Sequence, residues 1–478
     1  MSSVFANQAR RDQTEYAVNR LAAEVSDWLC HRRKKDTAAR HRTQLDAVGK
    51  LMAGSMAGLR HAVQEMDVGQ PTGDLFDECR LYDLRILWLR RVWQYFRDKF
   101  DQRDDEGLRP VLEAADDVVW SCYQQVYRQL EVMAPEFASG PAPLPFIDAW
   151  YAPEAFPAEL VPPGLKAEVD VGFLREYLNT LPIPIVRLPP ACVGAPWWLI
   201  YLGHEVGHHI QFRVLPNMGL TSKFREKVGD AALACAAAEE EATQWQRWST
   251  EIFADIFSLL VLGPWFLWAM VELELQAGGT MLASRSAYPS PVIRLRLLAI
   301  AAGRLGLNSD EALRGLVPEV PGDQGGLRSL AVARRVVDTA LGSLDGLPAA
   351  LPELCAFRPE DHWPGGTVDT WRELLSSGGA LPAERKLRSS RLTVSAAVAA
   401  WADVIKAEDP ATAPGGHDAN GGYERRSARR EALATAALAA IRKNAEQAAR
   451  PAVEAPQGIS GGDLADLLIR ADRRQLEE

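Results

Sequence analysis

Between residues 7 and 130 apolar side chains recur at the spacing of an α-helix, and this pattern restricts the folds open to the chain more than any other feature. Leu81, Leu84, Leu87, Trp88 and Val92 run on into Tyr95 and Phe96, within a stretch rich in Leu, Ala, Arg, Glu and Gln. The pattern predicts several long helices packed as a bundle. Two polar breaks, Gly69-Gln70-Pro71-Thr72-Gly73 and residues 101 to 107, read as turns between them. Past residue 135 the composition changes to proline, alanine and aromatics, as in Pro141-Ala142-Pro143-Leu144-Pro145-Phe146. Proline at that density forbids a long helix, so an extended connector on the surface of its neighbours is expected. A short strand follows in Ile183-Pro184-Ile185-Val186-Arg187-Leu188. Its prolines remove ladder donors, which allows only an edge strand.

Helical pattern returns at residues 196 to 214, with Pro196 in the first turn, and again in one long helix at residues 231 to 262. It resumes at residues 291 to 305, recurs to about residue 406, and reappears beyond a Pro/Gly-rich linker. The expected organisation is a helical bundle at 1–134, a proline-rich connector at 135–182 and a core at 183–305. A helical region at 306–406, a flexible linker at 407–425 and a helical tail at 426–478 complete it. The chain reads as mostly α, with no internal repeat.

Apolar residues at 47% and charged residues at 24% are the proportions of a globular protein. A net charge of −10 gives no general attraction for nucleic acid. The six cysteines lie far apart with no CxxC pair, which excludes a disulfide scaffold or a cysteine zinc cluster and fits a reducing compartment. Residues 1 to 20 are polar where a secretory signal would be apolar, so a cytoplasmic location is expected. The longest apolar run, residues 256 to 271, is interrupted by Gly263-Pro264 and is shorter than the roughly 20 residues a bilayer requires. It reads as buried helix, and no membrane span is expected.

Three of the eight histidines fall within six residues, His204-Glu205-Val206-Gly207-His208-His209. Histidines four apart on a helix are about 40° apart around the axis and roughly 6 Å apart along it, so both rings can reach one metal ion. Glu205 is about 100° away around the helix, beside such an ion rather than on it, where it can take a proton from a metal-bound water. Trp197, Tyr201, His204 and His208 follow i, i+4, i+7, i+11 spacing, so the histidines continue an inward-facing stripe. A zinc site of this kind needs one further protein ligand and an open position for water. Glu251 is the best candidate. Trp248, Glu251, Asp255, Leu259 and Leu262 share one face of a predicted helix, and two acids on an apolar face are costly unless a cation or donor meets them. A metal would satisfy Glu251, and the N–H of a metal-bound imidazole would satisfy Asp255.

These residues resemble the HExxH zinc metallopeptidases of the gluzincin branch. There the third ligand is a glutamate on a later helix, with an aspartate four residues on that orients a ligand histidine. The resemblance implies zinc ligands His204, His208 and Glu251, a general base Glu205, Asp255 as the partner of His204, and a zincin-like core with a small sheet or edge strand beside the histidine helix. A more distant likeness, to the membrane peptidases that process prenylated CAAX proteins, extends to a His-Pro dipeptide followed after four residues by an Arg. Here the stretch is Tyr288-Pro289-Ser290-Pro291-Val292-Ile293-Arg294, with tyrosine in place of histidine. The likeness implies that Tyr288 or Arg294 meets the oxyanion, or that Arg294 anchors a metal-site carboxylate or the substrate backbone. It covers about residues 183 to 298 and lacks that family's membrane helices.

The expected activity is zinc-dependent hydrolysis of a peptide or protein substrate, with the helical flanks available to a regulatory partner. A catalytically inactive zinc-binding scaffold is the alternative, against which an intact Glu205 argues. His209 is expected at the surface or in a hydrogen bond. His31, His41, His61, His362 and His417 lack ligand spacing and are expected in solvent, as is the basic run His31-Arg32-Arg33-Lys34-Lys35 with Arg40 and Arg42. Trp197-Trp198 and Trp265-Phe266-Leu267-Trp268 are expected in the core, with one of them available to line a substrate pocket.

Overall fold

The computed structural model describes residues 3–35, 38–134, 140–156, 182–215, 219–276, 278–308, 317–320, 322–356, 363–379, 381, 389–407, 419–445 and 460–470. His362 and His417, and much of the expected connector and linker, lie outside them. The described residues are mostly helical, with 16 α-helices and one three-stranded sheet. None of these helices is long and apolar enough to cross a membrane.

Helices α1 (Ser3–Arg33), α2 (Ala38–Gln64) and α3 (Thr72–Asp101) enclose one apolar core. On α3 the buried face is centred on Ile86, Leu89, Val92, Trp93 and Phe96, while Leu87 is 45% exposed. The apolar stripe is wider than one helix face, and the partner helices choose which part of it is covered. Helix α4 (Arg109–Met133), with proline in its first turn, belongs to a second and larger core.

Strands β1 (Leu144–Ile147), β2 (Glu154–Phe156) and β3 (Ile185–Leu188) form the sheet in the order β1-β3-β2. Strand β3 is therefore central, parallel to β1 and antiparallel to β2, not an edge strand. The proline rule fails here because Pro184 lies just outside the ladder, where its carbonyl accepts from the Leu144 N–H at 2.9 Å. Pro145 occupies the outer strand β1 instead, and its carbonyl accepts from Arg103 at 2.9 Å. Residues 141 to 146 are extended as expected, but buried rather than lying on the surface.

After α5 (Ala191–Gly194), a 3₁₀ turn at Pro196–Tyr201 leads into α6 (Leu202–Arg213). The expected long helix at 231 to 262 begins later, as α8 (Glu239–Leu262), and its first three residues instead end a separate helix, α7 (Gly219–Leu233), which the pattern did not predict. The break is a Schellman turn. Ala237 N–H reaches the Ala232 carbonyl at 3.3 Å, Ala236 N–H reaches Leu233 at 3.0 Å, and Ala236 takes the left-handed conformation, φ 58°. Glu239, Glu240 and Glu241 then fill the first turn of α8, where negative charge favours a helix start. Gly263, at φ 68°, ends α8 and Pro264 opens α9 (Pro264–Glu274). Helix α10 (Pro291–Arg304) packs against both, and α11 (Gln324–Leu341), α12 (Leu351–Cys355), α13 (Gly365–Ser376), α14 (Ser390–Ala407) and α15 (Ala419–Lys443) complete the second core. The last helix, α16 (Gly461–Arg470), returns to α2 and α3, where Leu464, Leu467 and Leu468 join the first core.

Candidate metal centre

Helix α6 lies against α8 at two glycines. A Cβ placed on Gly207 would come within 2.9 Å of the Ala254 Cα, and one on Gly203 would overlap Leu262. Only glycine lets the helix backbones meet this closely. Their approach sets Glu251, one turn before Ala254, opposite the rings of His204 and His208.

His204 Nε2 is 3.1 Å from Glu251 Oε2 and 3.2 Å from His208 Nε2, and His208 Nε2 is 3.7 Å from the same glutamate oxygen. Among the described residues this is the one group of three or more His, Cys, Asp or Glu side chains close enough to share an ion. Metal–ligand bonds of about 2.0–2.2 Å in a tetrahedron place donor atoms about 3.4 Å apart. The observed triangle matches that spacing, so the residues fit a small divalent cation.

Asp255, one turn beyond Glu251 on α8, puts Oδ1 2.8 Å from His204 Nδ1. In the neutral, ligating form of the ring the carboxylate favours the proton on Nδ1, which leaves the Nε2 lone pair to face Glu251 and His208. Burial disfavours charge on His204, but Asp255 and Glu251 outweigh it and hold its pKa at about 10 in the metal-free chain. For His208 burial outweighs the attraction of Glu251, 3.7 Å away, and pushes its pKa down to about 4.

Glu205 is buried beside the triangle. Burial and the Glu251 charge raise it to about 7, opposed by His204 and by the Ala155 N–H of β2, which donates to the carboxylate. A cavity of about 310 Å³ opens here, lined by His204, Glu205, His208 and Glu251 with Phe212, Thr250, Tyr288 and Pro153 to Ala155. Burial and the neighbouring Glu251 raise the Tyr288 phenol above its ordinary value, so it stays protonated at neutral pH. Arg294 does not line the cavity. Its Nε and Nη2 bind Asp255 at 2.6 and 2.8 Å and its Nη1 binds Glu274 at 2.8 Å, because two buried carboxylates claim the guanidinium.

The tryptophan clusters are core: Trp197 stacks on Trp401 at 4.3 Å, and Trp265 and Trp268 are buried. The aromatics on the cavity wall are Phe212 and Tyr288. Phe212 carries no sequence signal beyond lying one turn after His208 on α6. The Ala155 N–H carries none, because a backbone donor is indifferent to side-chain identity.

His209 is fully buried, so of its two expected places the surface is ruled out; burial keeps it neutral against a hydrogen bond with the Ile185 backbone. His41 is also buried, 3.0 Å from Asp116, whereas His31 and His61 are exposed. In the basic run, Arg32 is buried and pairs with Asp101 and Asp104, and Arg33 and Arg40 pair with Asp46 and Asp117 at 2.7 and 3.1 Å. Acids on neighbouring helices meet part of a face expected in solvent. No family model matches the chain, and no curated protein or solved structure is significantly similar to it.

Proposed function

We propose that this chain is a zinc-dependent peptidase with a zincin-like core, in which His204, His208 and Glu251 hold the ion. The observation that carries the reading is the triangle of donors at metal-ligand spacing with a further acid, Glu205, beside it on the wall of the same cavity. A purely structural site has no use for that base. Bound zinc supplies a positive charge that acidifies a coordinated water and polarises a carbonyl. Glu205 takes the proton of the attacking water and returns it to the leaving amine. The protonated Tyr288 donates to the oxyanion. Among the described residues strand β2 pairs with β3 on one side only, and its outer edge, next to Glu205, binds an extended peptide by strand addition. The six cysteines form no disulfide, which supports an intracellular setting, and the helical flanks would serve a regulatory partner.

Chelator-sensitive cleavage of a peptide library tests the activity, with metal content measured on the same samples. Glu205→Gln is expected to keep its metal and lose turnover on the order of a thousandfold, whereas Glu251→Gln loses the metal. A fully active Glu205→Gln, or a wild type that holds metal but cleaves nothing, would overturn the peptidase reading.

A further inference from the structure

We infer that Glu274 and Arg285 are positioning residues that tie the orientation of His204 to that of Tyr288, an inference resting on the metal-centre reading above. Glu274 is the last residue of α9 and its side chain is 3% exposed. Its Oε1 accepts from Arg294 Nη1 at 2.8 Å and its Oε2 from Arg285 Nη2 at 2.6 Å. Arg294 in turn grips Asp255, and Asp255 faces His204 Nδ1. Two carboxylates and two guanidiniums thus alternate from the imidazole outwards, and the row carries no net charge. A carboxylate so deeply buried is tolerable only because cations meet both its oxygens.

The same two cations hold the phenol. The guanidinium carbons of Arg285 and Arg294 lie over the Tyr288 ring, 5.1 and 4.7 Å from its centre. The segment carrying Tyr288 is also bound to α8. Trp248 Nε1–H donates to the Arg285 carbonyl at 3.2 Å, and the Gln244 amide donates to the Ser286 carbonyl at 3.3 Å. The Arg285 N–H closes the turn on the Tyr288 carbonyl at 3.3 Å. The contacts form a closed circuit: α8 to α10 through Asp255 and Arg294, then to the end of α9 through Glu274, and back to α8 through Arg285. A shift at Glu274 therefore moves both the support of the metal ligand and the wall facing the substrate.

The test uses the full chain, stripped of metal, and reads two quantities. One is Zn²⁺ affinity by competition with a chromogenic chelator. The other is hydrogen exchange of the backbone amides of residues 285 to 288. Glu274→Gln is expected to weaken Zn²⁺ binding roughly tenfold, the lower end for outer-shell changes at a metal site, and to speed exchange of the segment at least about tenfold. Arg285→Met, at a side chain 37% exposed, should speed exchange equally and leave Zn²⁺ affinity within about twofold, since Asp255 and Arg294 remain paired. Should Glu274→Gln fail to fold, exchange in Arg285→Met decides. Unchanged exchange in the folded variants overturns the coupling. Unchanged Zn²⁺ affinity in a folded Glu274→Gln overturns the arm that reaches His204. A wild type that binds neither Zn²⁺ nor Co²⁺ overturns the metal reading instead, and exchange in the metal-free chain still decides whether the relay holds Tyr288.

Discussion

An imidazole ligates with one nitrogen, and what the other nitrogen meets decides how firmly the ring is aimed. For His204 that partner is Asp255, itself held on the other side by Arg294. Asp255→Asn should therefore act twice. Zinc affinity is expected to fall 10- to 100-fold, read by chelator competition. Stability is expected to fall by about 3–5 kcal/mol, read by thermal unfolding, because Arg294 loses the partner that compensates its buried charge. An Asp255→Asn chain with wild-type metal affinity would show that the carboxylate does not orient the ring. The histidines and Glu205 were legible at this scale because helix geometry converts a spacing of four into a shared face. The occupation of Arg294 was legible only in part: a carboxylate beside the histidines was one of its expected partners, but nothing chose it over the substrate or added Glu274, since the two acids lie 39 and 20 positions away in the chain. Nothing local distinguishes an arginine facing a substrate from one facing two buried acids.

At the scale of elements, the site exists because α6 and α8 touch through Gly203 and Gly207. Gly207→Ala would push a methyl to within 3 Å of the α8 backbone, and helix backbone cannot yield as a side chain can. The expected result is a loss of about 1–3 kcal/mol in stability together with weaker zinc binding, as Glu251 retreats from the two rings. Thermal melts and chelator competition on the same preparation would check this; a variant as stable and as tight as wild type would contradict the close packing. Most helices were readable from their periodicity. The break at Ala236 was not, because alanine favours the helix interior and is rarely the residue that turns left-handed. Packing of α7 back along α8 outweighs that preference. Similarly, β3 reads as an edge strand by itself and becomes central only because the proline-rich stretch contributes a strand on each side of it.

Across the whole molecule, the two apolar cores are joined at a buried carboxylate. Asp116 on α4 accepts from Arg103, just past α3, at 2.6 and 3.0 Å, and lies 3.0 Å from His41 of α2. Arg103 also binds the carbonyls of Lys99 and Pro145, each near 3 Å, so α3 and β1 share the same knot. Burial alone would raise the Asp116 pKa, but Arg103 and His41 outweigh it and hold the carboxyl well below its ordinary range. The sign follows: a depressed carboxylate adds stability above its unfolded value near 3.9, and that stability drains away as pH falls below it. Asp116→Asn is expected to cost about 3–5 kcal/mol at neutral pH, with the gap to wild type narrowing once the pH drops below about 4. Thermal midpoints measured over an acid series would show it, and a gap independent of pH would refute it. At the far end of the chain, α16 returns to α2, where Gly54 and Gly461 approach closely enough that a Cβ on Gly54 would sit 2.8 Å from the Gly461 Cα.

The spacing of side chains along the chain was enough to determine that this protein is mostly helical and that one helix carries His204, Glu205 and His208 together, since both follow from contacts within a turn or two. It also singled out Glu251, because paired acids on an apolar face need a partner wherever they end up. Folding in three dimensions alone decided that the glutamate faces the histidines, that β2 and not β3 borders the cavity, and that Glu274 and Arg285 stand behind the site. Each of these depends on segments far apart in the chain approaching within a few ångströms, and that proximity leaves no periodic trace in the residues themselves.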